Sequence, residues 1–281
     1  FSCFIARNSC QTHKTWELTH PMLLSAKANS EDNPKWFEAM NGPYSDQFAE
    51  AAREEVKTLE DIDAWVKVKR EKWMNVLKST WAFKVKRFPN GLIRKFKGRF
   101  CVRGDMQLEG IDFEETFAPV VNWVTVRTLL VLSQTLSLET AQIDYTAAFP
   151  QSDLNEDVYV EMPRGFREEG MVLKLKKSLY GLRQSPRNFF EHLSKQLKQA
   201  GLEPSEADPC LFMGKGCICL TYVDDILVFA KDESTINKLM TDLKDAGAQI
   251  KKEDDVAGFL GVDIKRNENG SITMTQTGLT D

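Results

Sequence analysis

A chain of 281 residues with 42% hydrophobic content can bury a sizeable core, so it reads as globular, either one large domain or two lobes. Its formal charge of -4 predicts no nucleic-acid partner by itself, but between Lys67 and Arg103 the only acid is Glu71 amid a run of lysines and arginines. A local basic lobe therefore sits inside an acidic protein.

The six cysteines lack the spacing of a disulfide scaffold and suit a reducing, intracellular setting. Cys3, Cys10, His13 and His20 are spaced too widely for a zinc finger or knuckle and read as incidental. No run is long enough to span a membrane, and the amino end has no signal-peptide pattern. Beginning at Phe1 rather than methionine, the sequence is expected to be a piece of something longer.

Residues 1–44 read as an irregular tail, with a linker at 25–34 and no assigned role. Ser45 is placed as the cap of a helix that buries Phe48, Ala51, Val56 and Leu59. From Trp81 apolar and polar residues alternate, Pro89, Asn90 and Gly91 make a turn, and a second strand returns through Val102. Lysine and arginine lie on both sides of this hairpin, so phosphate is its expected partner. Residues 123–136 read as a mostly buried helix that leads into a short strand ending at Asp144.

Another strand is expected at residues 158–162 and a loop at 163–170. Ser185 is placed as N-cap, Pro186 as first helical residue and Gly201 as stop of a helix burying Phe189, Phe190, Leu193 and Leu197. Residues 217–230 alternate on either side of Asp224 and Asp225, which predicts two half-buried strands with acids at the tip. Ser234 is placed as cap of a helix ending at Gly247, and strands follow at 248–251 and 258–264. Strand, helix, hairpin, helix, strand is the split βαβ, ferredoxin-like arrangement of an α+β fold.

Asp-Asp alone is an ordinary turn pair, and Asp144 alone a strand-end cap. Together, a strand-end aspartate and an aspartate pair on a neighbouring hairpin suit hard, oxygen-seeking cations. The trio would repel itself unless a metal or a proton neutralised it.

From about Ala49 to Gln276 the chain resembles the reverse transcriptase of copia-type LTR retrotransposons. The resemblance is carried, in order, by Glu114-Glu-Thr-Phe-Ala-Pro-Val120, Asp144 with Ala148-Phe149, and Val158-Tyr-Val-Glu-Met-Pro163 with Gly165-Phe166. Ser178-Leu-Tyr-Gly-Leu182 with Pro186-Arg187, Tyr222-Val-Asp-Asp225 and Phe259-Leu-Gly261 complete it. It implies fingers at 45–120, a palm at 121–265 with a fingers–palm helix at 185–200, and the start of a truncated thumb at 266–281, hence poor processivity.

The implied activity is DNA synthesis on an RNA or DNA template from a DNA primer and dNTPs, with two Mg²⁺ ions or Mn²⁺ in their place. Asp144, Asp224 and Asp225 are the implied catalytic trio, and the same three with Tyr145 the metal set. Lys97, Arg99, Phe149, Tyr180 and Gly181 are implied to bind dNTP, with Phe149 as a steric gate against the ribose 2′-hydroxyl. Tyr222, Val223, Phe259, Leu260 and Gly261 are implied to hold primer and template. Lys251 or Lys252 lies near the leaving group or simply faces solvent.

Ribonuclease H and integrase domains of one polyprotein are the implied partners, and a cytoplasmic virus-like particle or the nucleus the implied setting. Pro150-Gln151-Ser152 departs from the leucine, polar residue and glycine usual in the family, which bears on the turn after Phe149. Two other classes compete: a catalytically inactive nucleic-acid-binding remnant, and another palm enzyme such as a nucleotide cyclase. The cyclase does not account for the basic hairpin.

Overall fold

The computed structural model describes residues 32–88, 90–253, 257–259, 262–267 and 271–275. In chain order, α1 (Trp36–Asn41) and α2 (Ser45–Asp61) precede β1 (Trp65–Lys69), β2 (Val76–Leu77) and the hairpin of β3 (Ser79–Arg87) and β4 (Ile93–Val102). Next come α3 (Trp123–Thr135), β5 (Glu139–Tyr145), α4 (Ala148–Gln151), β6 (Tyr159–Glu161), β7 (Met171–Leu175) and α5 (Ser185–Gln199). Then β8 (Glu203–Pro204), β9 (Leu211–Gly214), β10 (Cys217–Tyr222) and β11 (Asp225–Ala230) lead to α6 (Glu233–Asp245). The described part ends with β12 (Ile250–Glu253), β13 (Ala257–Phe259), β14 (Val262–Arg266) and β15 (Ile272–Thr275).

Two bodies result. The first joins the β3–β4 hairpin and a sheet of order β1-β7-β6-β2 around one core, which α1 and α2 close. Strict alternation puts Trp81, Phe83, Val85, Phe100 and Val102 on the buried side of the hairpin, where Phe48 of α2 meets Phe96 edge-on at 5.0 Å. The irregular reading of residues 36–41 is corrected. They form a helical turn whose Trp36 stacks on Trp81 at 5.9 Å, with Glu38 accepting from the Lys35 amide. Its shortness hid it, since one turn shows no periodicity.

The second body is a six-stranded sheet of order β12-β5-β11-β10-β9-β8. Its four strands β12, β5, β11 and β10 are antiparallel and follow the split βαβ succession, with α5 and α6 as the crossovers. Phe189, Leu193 and Leu197 of α5 and Ile236, Leu239 and Leu243 of α6 pack on one face of the sheet. Each such side chain contributes roughly 1.5–3 kcal/mol on burial. On the other face α3 and the three-stranded sheet β13-β14-β15 cover Leu220, Leu227 and Phe229.

Both faces being covered corrects the expectation of half-buried strands: Ile226 to Ala230 are all buried. Conversely, α3 is not mostly buried, because it is apolar all round but meets the sheet along one side only, leaving Val124, Val131 and Leu136 exposed.

Helix starts shift by a residue or two. Ser45 and Ser185 are first helical residues rather than caps, and Asp232 instead of Ser234 caps α6 by accepting from the Thr235 amide. Gly201, at φ +86, ends α5 as expected. Phe190 is only partly buried. The strand expected at 248–251 runs over Ile250–Glu253, and the one expected at 258–264 splits into β13 and β14, outside the six-stranded sheet.

Candidate active site

The tip of the β10–β11 hairpin is a two-residue loop, Val223-Asp224, closed by the pairing of Tyr222 with Asp225. Val223 sits at φ +52, where a β-branched residue is strained by about 1–3 kcal/mol. The loop is held from outside, since the Tyr145 amide donates to the Asp224 carbonyl at 2.9 Å. That bond ties the tip to the end of β5. Asp225 is the direct cross-strand partner of Asp144, so the two carboxylates share a face at a Cα separation of roughly 4.5–5.5 Å.

Burial, followed by the charges of Asp224 and Asp144, pushes the Asp225 carboxyl up to about 6, while the Gln142 amide pulls against this. Asp224 is raised as well, chiefly by burial and also by Asp144, with Arg99 and Lys97 opposing. Among the described residues no three His, Cys, Asp or Glu side chains are gathered closely enough to form a metal-holding group. What the structure does bring together is Asp144 with Asp225, with Asp224 beside them and electrostatically coupled to both.

This donor set fits a hard divalent cation. The oxygens are carboxylates, two of which, on Asp224 and Asp225, are raised by burial, and one neighbouring oxygen has no bond to make. Gln142 is buried and gives its Nε2 hydrogen to Asp225 Oδ1 at 3.0 Å, yet its Oε1 has no hydrogen-bond partner. Tyr145 belongs to such a set only through its main chain. Its ring is packed edge-on against Phe189 at 5.3 Å, and its hydroxyl donates to Gln196 Oε1 at 2.9 Å.

Facing the aspartates is the polar side of the β3–β4 hairpin. Both strands carry basic residues, but cross-strand pairing of Lys84 with Lys97, Lys86 with Lys95 and Ala82 with Arg99 gathers them on a single face. The apolar residues of both strands occupy the other. Lys97 is held down to about 8, first by burial, then by Arg99 and Lys86, with Glu55 and Asp144 opposing. Glu55 of α2 accepts from the Phe100 amide at 3.3 Å, and burial raises its carboxyl.

Arg99 lies over the ring of Tyr180 at 4.3 Å, Tyr180 packs on Phe149 at 5.0 Å, and Phe149 on Phe189 at 6.2 Å. An aromatic column thus runs from the basic hairpin down to the sheet. Tyr180 and Phe149 are both core-packed, and burial pushes the Tyr180 phenol up to about 12. Gly181, at φ +94, is needed for a contact inside the protein: a Cβ there would stand 2.1 Å from the Val102 carbonyl oxygen. Strand β4 makes a close approach here, its Val102 amide donating to the Tyr180 carbonyl at 2.8 Å.

The departure at Pro150-Gln151-Ser152 is accommodated. Gln151 donates to the carbonyls of Thr146 and Gln249 at 2.7 and 3.1 Å and accepts from the Gln249 amide, while Ser152 Oγ donates to the Phe149 carbonyl. Phe259 is fully buried with Leu220 and Phe229, so its side chain does not face a primer, and Leu260 and Gly261 lie outside the described residues. Tyr222 and Val223 remain half-buried at the tip.

Sequence reasoning missed Gln142, whose neighbour Asp225 is 83 residues away, and it left Lys251 open between two roles. Period-2 spacing to Asp144 was the signal available for Gln142, because it puts both on one face of β5.

The model of the reverse transcriptase (RNA-dependent DNA polymerase) family matches residues 62–280, and the chain belongs to that family. Its relatives are transposon polyproteins of the copia type. It is 37% identical over 214 residues to the retrovirus-related Pol polyprotein from transposon TNT 1-94 of Nicotiana tabacum, across 73% of this chain and 16% of that one. To the corresponding polyprotein from transposon RE1 of Arabidopsis thaliana it is 34% identical over 197 residues, 68% of this chain and 13% of the relative. To the Ty1-H Gag-Pol polyprotein of Saccharomyces cerevisiae it is 33% identical over 154 residues, 53% and 8% respectively. The chain thus spans less than a fifth of the length of these relatives.

A solved foamy viral protease-reverse transcriptase in complex with double-stranded DNA aligns with 82% of this chain and 34% of its own, at 15% identity and a TM-score of 0.38.

Proposed function

We propose that the chain is the polymerase core of a copia-type element and adds dNTPs to a primer 3′-hydroxyl on an RNA or DNA template. The supporting observation is the cross-strand pairing of Asp144 with Asp225 at a strained hairpin tip that faces Lys97 and Arg99. The fingers are then residues 45–120 together with β6 and β7, which share the first body's sheet, and the palm is the rest of 121–265 including α5, with residues from 266 leading toward a thumb. Asp144, Asp224, Asp225 and the Tyr145 carbonyl would hold two divalent ions, magnesium or manganese. When bound, these ions supply charge neutralisation at the attacking and departing oxygens of the in-line displacement.

The chain's own groups do the positioning. Gln142 orients Asp225 by its amide, and the Tyr145 amide fixes the height of the tip. Lys97 and Arg99 lie where a triphosphate would relieve the charge that burial disfavours, with the guanidinium kept in place by the Tyr180 ring. Phe149, locked between Tyr180 and Phe189, offers a rigid edge against which a ribose 2′-hydroxyl would collide. The partners are RNA template, DNA primer and dNTPs, with ribonuclease H and integrase domains supplied by a longer polyprotein. The setting is intracellular, in a virus-like particle; no described helix is long and apolar enough to cross a membrane.

The test is primer extension on an RNA template with Mg²⁺, by this chain expressed within its natural reading frame and by its Asp224→Asn variant. Extension by the parent and none by the variant is the expected result. No extension by either, with duplex binding intact, would replace the polymerase reading with that of a binding remnant.

A further inference from the structure

Asp144 has a partner on each side. Across from it on β11 is Asp225, and across from it on β12 is Lys251, so the row Asp225, Asp144, Lys251 crosses three strands on one face of the sheet. Lys251 Nζ stands 3.3 Å from Asp144 Oδ2 and is bonded at the same time to Glu253 Oε1. The neighbouring Lys252 pairs across from Ile143, hence on the opposite face, where it meets Glu233 at 2.8 Å. Only one of the two lysines is therefore placed beside the aspartates. Its side chain is 56% exposed, against 25% for Asp144, so the ammonium can move while the carboxylate stays.

We infer that Lys251 is an internal counter-cation of the aspartate cluster, which neutralises Asp144 while no divalent ion is present and must release it when one binds. Two carboxylates opposed across strands, with a third beside them, repel one another unless a cation or a proton intervenes, and Lys251 brings a cation to Asp144 in the free protein. Glu253 gives the displaced ammonium a second carboxylate to stay on, so release of Asp144 does not strand a charge. Lys251 then sets how much free metal the site requires and is a positioning residue, not a group in contact with substrate. This inference rests on the reading of the aspartates as metal ligands.

The experiment is direct titration of Mn²⁺ into the chain without nucleotide, reading free Mn²⁺ by paramagnetic resonance, for the parent and for K251M, K251R, K252M, E253Q and D144N. Removing a competitor worth what a half-exposed ion pair is worth should tighten binding by about fivefold in K251M. K251R and K252M should bind like the parent, and E253Q should bind about twofold to threefold more weakly because Lys251 is left to Asp144 alone. Raising the salt should shrink the K251M difference.

Unchanged or weaker binding by K251M would overturn the inference, and so would equal tightening in K252M, which would reduce the effect to net charge. Failure of the parent reading looks different: Mn²⁺ binding that is absent, or that D144N leaves intact, would remove the aspartates as ligands. Circular dichroism on each variant shows that the fold is retained.

Discussion

Lys97 is positively charged at neutral pH in a place that resists the charge, and replacing it tests the site without any chemistry. Burial and the neighbouring Arg99 and Lys86 bring it down to about 8 from the ordinary lysine value. Taken whole, that displacement corresponds to about 3 kcal/mol of folding free energy at pH 7; because the group is only partly buried, solvent screening leaves roughly 1–2 kcal/mol. The sign follows from proton counting. Between about pH 8 and about 10.4 the unfolded chain binds more protons at this residue than the folded one, so stability rises with pH across that window.

Lys97→Met should therefore stabilise the free protein by roughly 1 kcal/mol at pH 7, in urea unfolding followed by circular dichroism, and the gain should fade as the pH rises from about 8 and be gone by about 10.4. The same variant should weaken dNTP binding about tenfold or more, read as a rise in apparent KM with a smaller change in kcat. A Lys97→Met protein that is less stable than the parent at pH 7, or whose advantage persists unchanged to pH 10.5, would refute the reasoning.

Asp224→Asn should lower nucleotide addition by about a thousandfold or more, several kcal/mol of lost charge stabilisation, while duplex binding in a filter assay stays within about twofold. Phe149→Ala should raise the ratio of ribonucleotide to deoxynucleotide incorporation in single-turnover extension, at a stability cost of about 3–5 kcal/mol for the lost ring; unchanged sugar selectivity would remove Phe149 from the gate. Asp225 is held up to about 6 when folded, so ionising it opposes folding above that pH. Asp225→Asn should accordingly stabilise the metal-free protein by roughly 1 kcal/mol at pH 7.5, after screening, and by nothing near pH 4, as followed by thermal unfolding. Gly181→Ala should cost about 3 kcal/mol or more, since the added methyl would overlap the Val102 carbonyl in a left-handed conformation, and a neutral outcome in denaturant titration would discount that contact.

Local pattern carried the second body. The β10–β11 hairpin, α5 and α6 are each set by period and punctuation within some fifteen residues, and the split βαβ order follows from their succession. The first body was legible only in its hairpin, α2 and the strand β6. Strands β1, β2 and β7 are short and form one sheet through partners as far apart as Lys67 and Leu173, which no local window contains. Position 208 shows the same limit. Asp208 is buried and accepts from the Asn122 amide at 3.1 Å and Thr125 Oγ1 at 2.7 Å, anchoring the start of α3 from more than 80 residues away in the chain. Motif order singled out Asp144, Asp224 and Asp225, but it gave no sign that Gly181 also admits strand β4 or that the Phe259 ring is buried. A motif fixes which residues recur together and says nothing about which neighbour each one touches.

The two sides of the site are strained in opposite senses, and that asymmetry bears on what can fill it. Asp224 and Asp225 are raised by burial and by neighbouring carboxylates, while Lys97 is lowered by burial and by neighbouring cations. Each sign would gain from contact with the other, and Asp144 and Lys97 do interact favourably at a distance. Yet they cannot simply close on one another, because Arg99 is fixed on Tyr180 and the tip is fixed by the Tyr145 amide. On the proposed polymerase reading, the gap takes a ligand that carries negative charge toward the hairpin and positive charge toward the aspartates. A nucleoside triphosphate with its cation has that polarity, and a nucleic-acid backbone alone does not. Binding of the pair relieves both sides at once, so each should enhance the affinity of the other, and the preorganised charges then act on the developing transition state without rearranging.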